Sequence, residues 1–593
     1  MEQLKYNNLT HSSSPYLRQH ADNPVAWQEY SNSLIEEIKA QKKPILLSSG
    51  YSSCHWCHVM AAEAFSDPET ALFLNEHFIC IKLDREQHPD IDHFLMEFIV
   101  ALHGQGGWPL NVFLSSDFKP FYATTYLPAV ETNHANSFIS ILRKIQAWYQ
   151  ENQNFIEPFD SQAASIPRTN LATLIDEIGL NLDLVQGGTR NKPKFPPHSL
   201  LFLILSNPVL FRNHLDWAEM TLKKMIFSGL HDSIEGGFFR YCVDEKWEIP
   251  HFEKMLYDQA MMLTNLSLGY HLFEKEYFKE ALSKLLLFLK QRLSSIKGYY
   301  SALDADTNHH EGETYLWQLN ELKAALSKEQ YDQFQEEYRL IPFEGKYHLI
   351  KKASSATTSI ESILKDIRIE REQPFRDEKI ITSWNALLAI AYLFSARYAD
   401  NQEGYSEALS IFENLLSNHC SSEGTILHSQ FEGTVQNRGT LEDISSLLLL
   451  GTYLYEDRLV ELSQLEELYQ EMSKFKLNGH WVESFDSAAG VIYASWFDHP
   501  IPSSASTAMA AEIRYLILQE KGDLPEIALS RAHFSDFANH FALQSYQELE
   551  LYKSPNKINW KTLPVKAMQK QSSESLRCTN NKCTSWTGKT VNF

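Results

Sequence analysis

Cys54-His55-Trp56-Cys57 lies where an apolar strand, Pro44-Ile45-Leu46-Leu47, gives way through Gly50-Tyr51-Ser52-Ser53 to the helix-period run Val59-Met60-Ala61-Ala62. A CxxC at that junction constrains the fold. The first cysteine meets the unpaired N–H groups and positive dipole end of the helix it opens, and both favour thiolate. A thiol at the ordinary pKa of about 8.5 is roughly 3% ionised at pH 7, whereas one lowered to about 7 is about half ionised. The pair is a candidate redox or nucleophilic centre.

From Pro44 to Pro128 strand and helix patterns alternate. Ile45–Ser48, Phe78–Leu83, Leu110–Leu114 and Phe121–Leu127 read as strands, and Val59–Asn75 and Ile91–His103 as helices. With a CxxC after the first strand, this predicts an α/β domain of thioredoxin type over residues 1–165. Such a domain carries a cis-proline facing the thiols. Trp108-Pro109, just before the strand at Leu110, is the candidate, with Pro109 shaping a partner groove and Trp108 beside it. Phe138–Gln150 is a further helix, and Asn152–Thr169 a polar linker. Helical periods then dominate, at Trp217–Gly229, His251–Phe273, Tyr277–Ser294, Ser383–Tyr398, Ser406–Asn418, Leu441–Leu454, Leu459–Lys474 and Ser506–Gln519. Paired helices without a short-period repeat predict an all-α toroid of helical hairpins over 170–565, followed by a polar tail at 566–593.

A chain of 593 residues exceeds one hydrophobic core, in keeping with two domains. Asp plus Glu outnumber Lys plus Arg by 75 to 53, a net charge of -22 that argues against nucleic acid or an anionic membrane as partner. The 7 cysteines are too few for a secreted disulfide framework: Cys54/Cys57 and Cys578/Cys583 are close pairs, and Cys80, Cys242 and Cys420 stand alone. The N-terminus has no apolar run of signal-peptide type, and no stretch is long and apolar enough to span a bilayer, so a cytoplasmic location is expected. The expected partners are a protein or small-molecule disulfide and, as a second class, a sugar; no cofactor is expected, and oligomeric state is left open.

Motifs spread along the chain resemble one family. Ser14-Pro15-Tyr16-Leu17, Gln19-His20-Ala21, Asn23-Pro24-Val25, GYSSCHWCHVM at 50–60, LDRE at 83–86, Pro89-Asp90-Ile91-Asp92 and GQGGWPLNVFL at 104–114 are similar to the thioredoxin-like domain of the spermatogenesis-associated protein 20 family. PKFP at 193–196, GGFFRYCVDEKW at 236–247, PHFEKMLYDQA at 250–260, YSALDAD at 300–306, EKIITSWNALL at 378–388 and LEDISSL at 441–447 continue the likeness. The resemblance implies a thioredoxin-like domain fused to a six-hairpin (α/α)6 toroid of the kind found in sugar epimerases and glycoside-processing enzymes. It implies no established reaction. Ala26, Ala61, Thr189 and Ser504-Ala505-Ser506 depart from the family pattern.

The thiol site has three readings. In the redox one, Cys54 is the attacking thiolate and Cys57 the resolving thiol, tuned by His55 and Trp56. The pair can instead be structural, or Cys54, Cys57 and His58 can bind a metal with His20, His103 or Cys80 as fourth ligand. Thioredoxins generally carry a buried Asp six residues before the first cysteine. Ser48 stands there in this chain, so His55, Glu63 or Asp84 is the expected proton acceptor. Cys578 and Cys583 are either a relay or two plain exposed thiols.

In the helical region Pro250 predicts a helix opening at His251, with His251, Lys254 and Asp258 on one face. His251, Glu253, Asp258 and Asp304 are the acid/base candidates for a sugar reaction. Arg240, Lys254, Tyr257, Asp306, Glu311, Asp377, Trp384 and Asn385 are the substrate-binding candidates, with Glu442, Asp443 and Asp498 as lesser ones. Turn capping is the plain alternative for Asp304 and Asp306. The expected function is a specialised thiol-disulfide oxidoreductase; the alternatives are an epimerase or glycosidase, or a non-catalytic binding module.

Overall fold

The computed structural model describes residues 3–132, 135–159, 171–353, 359–421, 423–498, 500–520, 524–525, 549–565, 567–579 and 582–586. The chain divides into two units, one of Met1–Ser165, Phe431–Thr440 and Leu477–Ala494, the other of Ile166–Gln430, Leu441–Lys476 and Ser495–Phe593. Two excursions of the later chain therefore join the first unit, where the sequence pattern assigns everything from 170 to 565 to the helical domain. The expected border near 165–170 lies outside the described residues.

In the first unit, strands β1 (Gln28–Glu29), β2 (Ile45–Gly50), β3 (Ile79–Asp84), β4 (Leu110–Leu114) and β5 (Pro120–Thr124) form one sheet in the order β1-β3-β2-β4-β5, with apolar runs supplying β2, β3 and β4. β1 and β2 run parallel to β3, β4 is antiparallel to β2, and β5 to β4. Every residue of β2, β3 and β4 is buried. Such strands are covered on both faces, which is why they read as continuous runs rather than as alternation.

The helices are α1 (Pro15–Arg18), α2 (Asn32–Ile38), α3 (His55–Ala62), α4 (Pro68–His77), α5 (Pro89–His103) and α6 (Phe138–Asn152). Ser14 caps α1 by accepting the Leu17 N–H at 3.2 Å, and Asp67 caps α4 by accepting that of Thr70 at 2.7 Å. The second cap corrects the single helix expected over Val59–Asn75. Pro68 has no N–H for an i−4 carbonyl, so the helix stops at Ala62 and restarts with Pro68 in its first turn. Leu47, Ile81, Leu83, Leu95 and Val112 fill the core, and Ile492 of the 477–494 excursion joins them.

In the second unit, helices His198–Ser206, Leu256–Phe273, Thr382–Tyr398, Leu441–Glu456 and Ser504–Leu518 are buried on nearly every face and pack each against the next. Leu215–Ile226, Glu276–Phe288, Glu403–Asn418 and Leu462–Ser473 back them, giving a row of helical hairpins among the described residues. The helix expected from His251 begins at Leu256 instead. Pro250–His251 pairs with Tyr241–Cys242, and Lys254–Met255 with Ala302–Leu303, as short strands. The shared helical face expected of His251, Lys254 and Asp258 therefore does not form. The expected polar tail contributes strands Met568–Gln571, Leu576–Thr579 and Lys582–Ser585 to a sheet with Glu550–Ser554. Cys578 and Cys583 face each other across that sheet and are disulfide-bonded. Among the described residues no helix is long and apolar enough to cross a membrane.

Candidate functional site

β2 ends at Gly50 and α3 starts at His55, which makes Cys54 the N-cap of α3. Its extended backbone turns the sulfur over the first helical turn, where the Cys57 N–H donates to Cys54 Sγ at 3.2 Å. A backbone N–H aimed at sulfur from a helix N-terminus is the arrangement that lowers a thiol pKa. Cys54 and Cys57 are disulfide-bonded with Cα atoms 5.2 Å apart, and are 4% and 1% exposed. Between them Trp56 faces outward, 41% exposed, its ring 4.9 Å from that of Tyr126.

The Trp108–Pro109 peptide bond is cis. Trp108 is held in place: its Nε1 donates to Asp92 at 2.9 Å, and the Arg85 guanidinium lies 4.0 Å over its ring. The residues weighed as further metal ligands are engaged elsewhere. His20 Nδ1 lies 2.9 Å from Asn23 Oδ1, and burial, then the nearby Lys82 charge, hold the His20 pKa well below the usual histidine value. His103 Nε2 lies 3.0 Å from the Ala123 carbonyl, and burial pushes the Cys80 thiol far up. Among the described residues no group of three or more His, Cys, Asp or Glu is placed to hold a metal ion.

Cys57 points inward over Gly50, where a Cβ would lie 2.8 Å from Cys57 Sγ and 2.4 Å from Tyr16 Oη. Only glycine leaves room for the sulfur and the phenol at that point. Tyr16 Oη accepts from Lys82 Nζ at 3.1 Å, and Lys82 Nζ also donates to Ser48 Oγ at 3.1 Å. Ser48 and Lys82 are register partners on β2 and β3. Lys82 is fully buried, its Nζ 4.5, 4.9 and 5.3 Å from the ring centroids of Phe65, Trp27 and Tyr16. Burial drives the Lys82 pKa well below the usual lysine value. Burial also raises that of Tyr16 well above its ordinary value, with Asp84 and Asp92 adding to the rise. Two expected acceptors are engaged by other groups: Glu63 accepts from Tyr126 Oη at 2.7 Å, and Asp84 from Ser14 Oγ at 2.6 Å and the Glu86 N–H at 2.9 Å. Tyr16 and Lys82 were not singled out by the sequence pattern. The one signal for Lys82 is a lysine inside the apolar run ICIKLD.

The helical unit holds its predicted residues in buried pairs. His251 Nδ1 lies 2.5 Å from Glu311, Arg240 Nη1 3.2 Å from Glu253, Asp258 Oδ1 3.3 Å from His198 Nε2, and Asp377 3.2 Å from Lys379 Nζ. Asp304 accepts the Asp306 N–H at 3.1 Å, a turn-capping contact. The Asn385 side chain clamps the Tyr299 backbone, accepting its N–H at 2.7 Å and donating to its carbonyl at 3.0 Å. Lys254 donates to Asp232 at 2.8 Å, and Arg368 Nη1 lies 2.7 Å from both Asp232 oxygens. Burial pushes the Asp232 carboxyl up, but Arg368 and Lys254 outweigh it and hold the pKa well below the usual carboxylate range. Trp384 meets Tyr257 edge-on at 4.7 Å and lines a cavity of about 90 Å³ with Phe202, Phe394, Tyr453, Ser383 and Glu442. Ser383 Oγ donates to Glu442 at 2.7 Å.

Sheet order, the cis-proline and the strand–CxxC–helix junction together define a thioredoxin-like domain. In agreement, residues 6–166 match the family profile Thioredox_DsbH, described as a protein of unknown function, DUF255. The motif resemblance also holds. The chain is 34% identical over 350 residues to human spermatogenesis-associated protein 20, an alignment covering 54% of this chain and 44% of that one. The match thus spans less than half of the human protein. An uncharacterised Caenorhabditis elegans protein is 29% identical over 598 residues, covering 88% of this chain and 82% of that one. Among solved structures, cellobiose 2-epimerase from Spirochaeta thermophila superposes with a TM-score of 0.41 at 14% identity, over 69% of this chain and 97% of that one. That superposition is too loose to carry a fold assignment or an activity.

Proposed function

We propose that the protein is a specialised cytoplasmic thiol-disulfide oxidoreductase in which Cys54 attacks a partner disulfide and Cys57 resolves the mixed disulfide. The supporting observation is the Cys57 N–H donating to Cys54 Sγ at the start of α3, a contact that favours thiolate at Cys54 over Cys57. Exposed Trp56, with half-buried Tyr126 beside it, offers an aromatic face next to the pair, suited to a protein or small-molecule disulfide. In this reading the helical unit closes as an (α/α)6 toroid and helps select the partner. Trapping tests it. Cys57→Ser incubated with a disulfide-bonded protein substrate is expected to accumulate an adduct that dithiothreitol releases, and Cys54→Ser/Cys57→Ser to form none. No adduct with Cys57→Ser would reject the proposal.

The cavity around Trp384 favours a second role, binding of a small ligand with an apolar face. At about 90 Å³ it is smaller than the ~150 Å³ apolar cavity that admits benzene, so it holds part of a ligand rather than a whole sugar ring. Epimerase or glycosidase chemistry would draw on the buried pairs His251–Glu311 and Asp258–His198 as acid and base. Ala510 lines the same cavity. A panel of sugars and small aromatics is expected to contain a compound that raises the melting temperature, and Ala510→Phe is expected to abolish that rise. A rise that survives Ala510→Phe would place binding elsewhere.

A further inference from the structure

Lys82 bonds, among the described residues, to two hydroxyls, Tyr16 Oη and Ser48 Oγ, and Tyr16 Oη borders the same space over Gly50 as the inner sulfur of the pair. A buried amine without a carboxylate partner costs stability, because its charged form is desolvated. Its bond to Tyr16, whose hydroxyl shares the space over Gly50 with Cys57 Sγ, gives it a role. We infer that Tyr16 and Lys82 form the proton path of the resolving thiol, with Lys82 as the base and Tyr16 as the hydroxyl between them. The inference rests on the thiol-exchange reading and deepens it.

The steps balance as follows. The partner disulfide is the oxidant. Cys54 thiolate attacks one of its sulfurs, a Cys54–partner disulfide forms, and the other partner sulfur leaves as thiolate and takes a proton from solvent. The Cys57 S–H proton then passes to Tyr16 Oη while the Tyr16 proton passes to the neutral Lys82 amine. Cys57 thiolate attacks Cys54 Sγ, the intramolecular disulfide forms, and the second partner sulfur leaves as thiolate to be protonated by solvent. Two electrons have moved from the enzyme dithiol to the partner. After resolution Lys82 gives its proton up to solvent, and when an external dithiol later reduces the Cys54–Cys57 bond the departing Cys57 thiolate is reprotonated from solvent along the same path.

The surroundings suit both forms of the base. Burial favours the neutral amine, and the faces of Phe65, Trp27 and Tyr16 receive the transient ammonium. The titratable groups around the path are His20, which burial keeps neutral, His58 beside it, and Asp84 and Asp92, which act on Tyr16. Tyr16 therefore relays a proton without ionising. Ser48, at the place of the expected buried Asp, offers Lys82 a hydroxyl instead of a carboxylate. A carboxylate there would hold the lysine charged and unable to accept.

The test is single-turnover reduction of a symmetrical nitro-aromatic disulfide, whose coloured thiolate is released once as Cys54 attacks and again as Cys57 resolves. In the pre-reduced wild type the second release is expected to vary little with pH across the neutral range. In Lys82→Met it is expected to slow about a hundredfold at pH 7 and to rise about tenfold per pH unit, with the first release unchanged. Tyr16→Phe removes one oxygen and is expected to slow the second release in the same way, which decides the matter if Lys82→Met fails to fold. A second release at the wild-type rate in folded Lys82→Met or in Tyr16→Phe overturns the relay alone. A wild type that never releases the first thiolate overturns the thiol-exchange reading, and the relay with it.

Discussion

Cys54→Ser is expected to lower steady-state reduction of a disulfide substrate by about a thousandfold or more, the scale on which removal of a covalent nucleophile acts. Serine at an N-cap is as good as any residue, so α3 keeps its start and the melting temperature of the reduced protein is expected to stay within a few degrees. Loss of turnover with an intact fold therefore isolates the chemistry of the sulfur. Cys57→Ser is expected to lose turnover too, but to keep the first attack, because the N–H aimed at Cys54 Sγ is a backbone group that the substitution leaves in place. Equal turnover by Cys54→Ser and wild type would rule out Cys54 as nucleophile.

Asp232→Ala is expected to destabilise the helical unit by about 3–5 kcal/mol, the usual cost of leaving buried charge without its partner. Asp232 is the acceptor for Lys254 and for Arg368, and all three are buried. Its folded pKa is depressed, so the stability it contributes is fully present above the unfolded carboxylate value of about 3.9 and fades as pH falls towards the lowered folded value. Urea unfolding of Asp232→Ala and wild type near pH 7 measures the loss. Asp232→Ala with Lys254→Met and Arg368→Met is expected to recover part of it, because the orphaned charges are gone. A loss below 1 kcal/mol would show that the network is not what holds these segments.

The thiol site was legible in the sequence because it is local: the apolar run, the turn at Gly50 and the four residues from Cys54 carry the strand, the cap and both sulfurs within a short stretch. Pro109 was legible for the same reason. What surrounds the inner sulfur was not. β3 is buried on both faces, so no alternation tells which way Lys82 points, and Tyr16 reaches it from 66 residues away. The Asp232–Arg368 contact spans 136 residues and leaves no local trace. His251 was misplaced on a helix because Pro250 is a good helix opener; pairing with Tyr241 overrides that local preference. The polar tail hid strands because Lys582–Ser585 is exposed along its whole length, so no buried face gives it a pattern.

Because the thiol-bearing unit is woven from three separate stretches of chain, with Ile492 lodged among Leu47, Leu83 and Leu95, it is not a cassette that ends where its family profile ends. Any recombination or gene fusion that transplants only the opening third leaves behind a tenant of its own interior.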